Sequence, residues 1–278
     1  MIHFICALKS EAASLLEFFQ LKSLPGNRPF NIYLNKDKSI SLTVSGIGKT
    51  SSAAATSYTF AALPCRQNEI WVNIGMAGHR SHNIGEIFIC NKITDAGSDR
   101  KWYPHPVFES EIARNSLLTL DRPSTDYDDN LFDMEASGFL SSATRFSYLE
   151  FIQTVKIVSD NADEPARKLK ADAISSLISP HLASIASIVF DLRSTADNLK
   201  SKVNTAKYVE AFQEQCHFSD YQNKKLGQVL QRWCLLLSDQ SPLEACEGKL
   251  QSANEVIATL NQLLDSSDFS LSRDVQDV

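Results

Sequence analysis

No two of the six cysteines stand at the short separations that zinc sites use, so Cys6, Cys65, Cys90, Cys216, Cys234 and Cys246 read as reduced thiols with no metal site expected. A block rich in Lys and Arg is also missing, and the formal charge is −6. Both features argue against a nucleic-acid groove or an anionic membrane surface as the main partner and favour a small solute. No uninterrupted apolar run near ~18 residues is present, so no membrane-spanning helix is expected. The start, Met1 to Leu8, has neither the basic opening nor the cleavage pattern of a secretory leader and soon meets Glu11. It reads as a buried first strand, and the expected location is the cytoplasm. With 278 residues the chain has enough length for one substantial core and an appended subdomain.

What is present begins with strand and helix alternating. Ile2 to Leu8 is a continuous apolar strand, followed at once by Lys9-Ser10-Glu11-Ala12 and the helical spacing of Leu15, Leu16 and Phe19. Glu11 therefore stands at the carboxyl end of a strand, where open α/β sheets place ligands. Phe30 to Leu34 and Ile40 to Val44 read as a hairpin around Asn35-Lys36-Asp37-Lys38. The second strand runs into Ser45-Gly46-Ile47-Gly48-Lys49-Thr50 and an Ala-rich helix reaching Leu63. GIGKT is not a phosphate-binding loop, because the place five residues before its second glycine is Thr43 rather than glycine. It reads as a tight strand-to-helix turn. Glu69 to Ile74 is a further strand ending in Gly75-Met76-Ala77-Gly78-His79, whose small residues admit a ligand or a facing strand.

Ile84 to Ile93 reads as a strand closed by Asp95 and Gly97. Ser98 to Asn130 is polar and rich in Pro, Tyr and Asp, with one short apolar piece at Leu117 to Leu120. It is expected to supply a substrate lid, with Tyr103, Phe108 and Arg122 as ring-stacking candidates. The nonapeptide Leu131-Phe132-Asp133-Met134-Glu135-Ala136-Ser137-Gly138-Phe139 then reads as a strand end turning into a tightly packed helix. Ionised Glu135 there suits two adjacent ribose hydroxyls, although Asp133 and Glu135 would equally serve the helix as cap and dipole partner. Phe151 to Val158 is a strand with Ser159 and Asp160 at its carboxyl end, and Glu164-Pro165 is expected to open a helix. Beyond Leu169 the pattern is helical. Ser219 to Gln222 reads as a capping box before the stripe Leu226, Val229, Leu230, Trp233 and Leu237. Ser241 to Glu244 repeats that signature before a last helix bearing Val256, Ile257, Leu260, Leu263 and Leu264.

The segments ALKSEA, SGIGKTSSAAAT, NIGMAGH, GEIFICNKITDAG, FDMEASGF and IVSDNADEPA stand in the order found in the nucleoside phosphorylase superfamily. Together they resemble its 5′-methylthioadenosine/S-adenosylhomocysteine nucleosidase branch over roughly residues 1–180. The resemblance implies a three-layer α/β/α domain over 1–190, which a helical C-terminal extension over 191–265 and a frayed tail over 266–278 would follow. It further implies that Glu11 activates a water, that Met134 and Glu135 hold the ribose, and that Asp160, supported by Ser159, protonates N7 of a purine. Leu8, Met76, Ala77 and Gly78 are implied as further substrate contacts. Such a division sets two carboxyl groups on opposite sides of a cationic sugar, as in glycoside hydrolysis, and requires Asp160 to keep a proton near neutrality.

The activity so implied is hydrolysis of the N-glycosidic bond of an adenine nucleoside, 5′-modified as in methylthioadenosine or S-adenosylhomocysteine. No metal or organic cofactor is needed for it, and a homodimer is expected. ALKSEA and NIGMAGH lack the arginines that bind phosphate in the phosphorolytic branch, which favours water over phosphate as the attacking group. A phosphorylase is the alternative within the fold, and a catalytically weak nucleoside-binding scaffold the alternative outside enzymology. The chain departs from the nucleosidase pattern at Met76, at Lys156 where an arginine is usual, in its shorter stretch between Asp95 and Asp133, and in its helical extension.

Overall fold

A computed structural model describes residues 1–65, 69–104, 107–165, 170–202, 205–237, 239–246 and 252–266. The chain divides into two units, Met1–Ala196 and Asp197–Val278. The expected tail falls, beyond Ser266, outside the described residues.

In the first unit the elements follow as β1 (Ile2–Cys6), α1 (Lys9–Phe18), β2 (Lys22–Ser23), β3 (Asn31–Leu34), β4 (Ile40–Val44), α2 (Lys49–Ala62), β5 (Ile70–His79), β6 (Ile87–Asp95), β7 (Lys101–Trp102), β8 (Arg114–Thr119), β9 (Leu131–Asp133), α3 (Ala136–Ala143) and β10 (Ile152–Asn161). Helices α4 (Ala171–Ile178) and α5 (Leu182–Lys202) come next. Strand β1 is buried along its whole length, as a mostly apolar strand covered on both faces requires, with its one polar side chain, His3, paired to Ser41 and Glu69. Phe4 and Cys6 point into one core with Ala12 and Leu15 of α1 and Ile174 and Ile178 of α4. Ile5 points the other way, into a core with Ala136, Phe139 and Leu140 of α3. That alternation produces the three layers.

Strand β5 organises the sheet. It pairs in parallel with β10 from Trp71 to His79 along one edge. On its other edge it pairs first with β1, from Ile70 to Asn73, and then with β9 at Gly78 opposite Phe132. Strands β10, β6, β8 and β9 continue from neighbour to neighbour back to β5, so this half of the sheet closes on itself. The other half runs outward through β1, β4, β3 and β2. Where β5 exchanges β1 for β9 the two neighbours diverge, and a crevice opens at their carboxyl ends.

Several boundaries differ from the sequence expectation. Strand β5 does not stop at Ile74 but runs through the glycine-rich segment, because Gly75, Met76 and Ala77 stay in register with Lys156, Ile157 and Val158 of β10. The stretch from Ser98 to Asn130 holds β7 and β8, the latter an interior strand between β6 and β9. Glu164 N–H donates to the Asn161 side chain at 2.8 Å in a turn; residues 166–169, over which Glu164-Pro165 was expected to open a helix, lie outside the described residues, and α4 begins at Ala171. The helical run Ala171–Asn198, 28 residues, is long and apolar enough by length and composition to cross a membrane, against the expectation of none. Serines dispersed among its apolar residues hide this from a search for an unbroken run. Ile174, Ile178, Ile185, Ile188, Val189 and Leu192 lie in the first core.

In the second unit, α6 (Ala206–Gln215), α7 (Asp220–Leu236), α8 (Pro242–Ala245) and α9 (Ala253–Ser266) gather around Phe212, Leu226, Leu230, Trp233, Val256 and Leu260. The expected capping box forms: Ser219 Oγ accepts from Gln222 N–H at 3.3 Å, and Gln222 Oε1 accepts from Ser219 N–H at 2.9 Å. Ser241 makes no such bond, and its helix ends after one turn.

Candidate functional site

The crevice between the ends of β1 and β9 holds a cavity of about 210 Å³. Leu8 and Glu11 line it from the β1 to α1 junction, Met76, Ala77 and Gly78 from β5, Met134 and Glu135 from the β9 to α3 junction, and Ser159 and Asp160 from the end of β10. All nine residues that the resemblance implied as catalytic groups or substrate contacts therefore meet at one place. They come from four stations of the chain up to 152 residues apart, counted from Leu8 to Asp160.

Glu11 and Glu135 are fixed by backbone donors and Asp160 by side-chain hydroxyls. Glu11 Oε2 accepts from Leu8 N–H at 2.8 Å and Oε1 from Met76 N–H at 3.0 Å, so it closes the first turn of α1 and bridges to β5 at once. Burial pushes its carboxyl above the usual range, although the Leu8 amide and Lys156 pull it down. Glu135 Oε1 accepts from Gly48 N–H at 2.8 Å, and Oε2 from Met134 N–H at 3.3 Å. Burial raises this carboxyl as well, with Lys156 opposing and Asp133 reinforcing the shift. Asp160 Oδ1 accepts from Ser159 Oγ–H at 2.5 Å, and its Oδ2 accepts from the hydroxyl of Tyr127. A shift of register between Val158 and Asp160 interrupts the ladder here and sets Asp160 opposite Gly78. A side chain at Gly78 would place its Cβ 2.7 Å from Asp160 Oδ2, so only glycine fits.

Beneath the cavity, the Lys156 ammonium lies 2.8 Å from Asp133 Oδ2, with both side chains inaccessible to solvent. Burial works against the charge on Lys156, but Asp133, Glu135 and Glu11 outweigh it and hold the ammonium above its ordinary range. Asp133 Oδ2 also accepts from Ala136 N–H at 2.8 Å, which is the helix-capping role read from the sequence. Lys49 of GIGKT turns away from any phosphate role: its Nζ is tied to Asp95 at 2.9 Å and Asp121 at 2.6 Å. Groups suited to a metal gather elsewhere among the described residues, at His3, Cys65 and Glu69.

Solved structures provide the comparison. A 5′-methylthioadenosine nucleosidase from Arabidopsis thaliana superposes with a TM-score of 0.55 at 16% identity, covering 69% of this chain and 95% of that one. The 5′-methylthioadenosine/S-adenosylhomocysteine nucleosidase of Colwellia psychrerythraea, in complex with adenine, gives 0.52 at 16%, covering 69% and 93%. Its counterpart from Neisseria meningitidis, in complex with methylthio-immucillin-A, gives 0.51 at 19%, covering 70% and 98%. The chain has the nucleoside phosphorylase fold. No protein-family model matches the sequence, and no curated protein matches it by sequence.

Within the nucleoside phosphorylase fold, the stretch expected to be a lid contributes differently from the reading above. Tyr103 is 58% exposed, Arg122 is also exposed, and Phe108 packs against the first core, so none of the three lines the cavity. Pro123, Ser124 and Tyr127 do. Tyr127, only 9% exposed, was not singled out in the sequence because it sits in a run of Ser, Thr and Asp with no periodicity. What selects it is its packing on Gly78, whose missing Cβ leaves room for the ring.

Proposed function

We propose that the chain is a purine nucleosidase that hydrolyses the N-glycosidic bond of an adenine nucleoside with a modified 5′ position, such as methylthioadenosine or S-adenosylhomocysteine. The observation that carries this reading is the meeting of Glu11, Glu135 and Asp160 at one cavity. In it, Glu11 takes the proton of the attacking water, Met134 and Glu135 hold the ribose hydroxyls, and Asp160 gives a proton to N7 as the base departs, with Ser159 orienting it. Leu8, Met76, Ala77 and Gly78 line the remainder of the substrate's path. The solved nucleosidases bound to adenine and to methylthio-immucillin-A lend the base and the 5′ substituent. The reading includes a homodimer in the cytoplasm, as the resemblance and the cysteine usage suggest.

Water is favoured over phosphate as the attacking group because no arginine or lysine stands among the described residues that line the cavity. Arg80, which follows the glycine-rich segment, is held by Asp129 at 3.2 Å and by the Tyr127 carbonyl at 3.3 Å. A phosphate dianion there would face carboxylates without a cationic partner.

The test is release of adenine from methylthioadenosine, with and without phosphate. Free methylthioribose in both conditions is expected, together with a loss of ~10²-fold or more in Glu11→Gln and Asp160→Asn. Undiminished release by either variant removes the assignment, 5-methylthioribose 1-phosphate as product replaces it with phosphorolysis, and tight binding without turnover leaves a nucleoside-binding scaffold.

A further inference from the structure

At the other end of the sheet from the cavity, where β1 and β5 begin, three side chains converge that the proposed reaction does not use. His3 Nε2 lies 2.9 Å from Glu69 Oε2 and 3.6 Å from Cys65 Sγ. The three donor atoms lie within 4.8 Å of one another. The ring is held in place from both sides, because His3 Nδ1 meets Ser41 Oγ at 2.7 Å and the imidazole stacks on Trp71 at 4.2 Å. His3 and Glu69 are buried, and Cys65 is half-buried.

We infer that His3 Nε2, Cys65 Sγ and a Glu69 carboxylate oxygen form a binding site for zinc(II), with water as fourth ligand. Several independent features point to this. One imidazole nitrogen has two further donors aimed at it, more than a simple His–Glu hydrogen bond uses. A nitrogen, a sulfur and an oxygen donor form a set suited to a borderline-soft ion that accepts tetrahedral geometry. Typical zinc–ligand lengths imply donor separations of ~3.3–3.6 Å around a tetrahedral ion. The sulfur-to-nitrogen distance already matches, and the nitrogen-to-oxygen distance has to widen by ~0.4 Å. Binding displaces the Cys65 thiol proton to solvent, and one thiolate, one carboxylate and one neutral imidazole then cancel the two positive charges of the ion. The Met1 ammonium lies 2.9 Å from Glu69 Oε1, so Oε2 is the oxygen left for the ion and one positive charge stays beside the cluster. With Nε2 given to the ion, the imidazole proton would move to Nδ1 and donate to Ser41 Oγ, the usual kind of outer partner of a metal-bound histidine.

Such a site would clamp the loop after α2 to the starts of β1 and β5. It lies away from the cavity, so its role is structural, and it stands or falls separately from the nucleosidase reading. The experiment strips the full-length chain with a chelator, adds zinc chloride or cobalt(II) chloride, desalts it and measures metal content and absorption. One zinc per chain is expected, with a thiolate-to-cobalt charge-transfer band in the cobalt form. Cys65→Ser should abolish the band, Ser41→Ala should weaken zinc binding ~10-fold, and Cys246→Ser, at a distant thiol, should change neither. Wild-type chain that leaves the desalting column without zinc and shows no charge-transfer band overturns the proposal, as does an unchanged band in Cys65→Ser. The wild-type spectrum alone decides the matter should the variants fail to fold. Adenine release that is the same before and after stripping agrees with a structural ion.

Discussion

Glu11 illustrates how one carboxyl group serves fold and site together. Its two backbone hydrogen bonds cap α1 and anchor β5, while its burial, opposed by Lys156, raises its affinity for a proton. A general base works only when ionised, and a group with a raised pKa stays protonated to higher pH. Activity should therefore begin to fall, on acidification, above the ordinary Glu value of 4.5. The acid limb of kcat/KM reports this, and a limb at or below that value would contradict Glu11 as the base. Tyr127 makes a second prediction. Its hydroxyl occupies Asp160 Oδ2, the atom a purine N7 has to reach in the proposed reaction, so the substrate must displace it. Removing one such hydrogen bond, as in Tyr127→Phe, should lower KM roughly threefold to tenfold, with kcat changing less. A raised KM would assign the hydroxyl to substrate binding instead.

Among the elements, the contact between α2 and α3 matters most to the site. A Cβ on Gly138 would sit 2.0 Å from the Lys49 carbonyl oxygen, which is backbone and has no rotamer to escape into. That close approach holds the start of α2 where Gly48 N–H meets Glu135. Gly138→Ala should destabilise the chain by ~1–3 kcal/mol or more in urea unfolding and should raise KM, since Glu135 loses its donor as α2 is pushed away. The largely apolar runs of β1, β4 and β10 were legible because buried parallel strands put hydrophobic residues on both faces. Strands β7 and β8 were not, because β7 has two residues and β8 carries polar residues that only its neighbours β6 and β9 accommodate. The extension of β5 through Gly75 and Gly78 was missed for a related reason. Glycine disfavours a strand locally, and here the register with β10 overrides that preference.

At the scale of the whole chain, each unit has its own hydrophobic core. The core of Asp197–Val278 is built from residues between Phe212 and Leu264, most of them on its own helices. Leu230 is fully buried there, so Leu230→Ala should remove ~2–5 kcal/mol, followed by urea titration through the fluorescence of its neighbour Trp233 with Trp71 and Trp102 replaced by Phe. An unaltered midpoint would show that this helical cluster is not a cooperative core. The sequence by itself determined the alternation of strands and helices, the capping box at Ser219, and which acids stand at strand ends, because hydrophobic period and side-chain chemistry act over a few residues. Only the tertiary structure decided that these acids share one cavity, that Tyr127 reaches Asp160, and that His3, Cys65 and Glu69 meet. The first two outcomes depend on β5 exchanging β1 for β9 and on the closure of half the sheet, and the third on β1 pairing with the start of β5, which bring together residues that no local pattern connects.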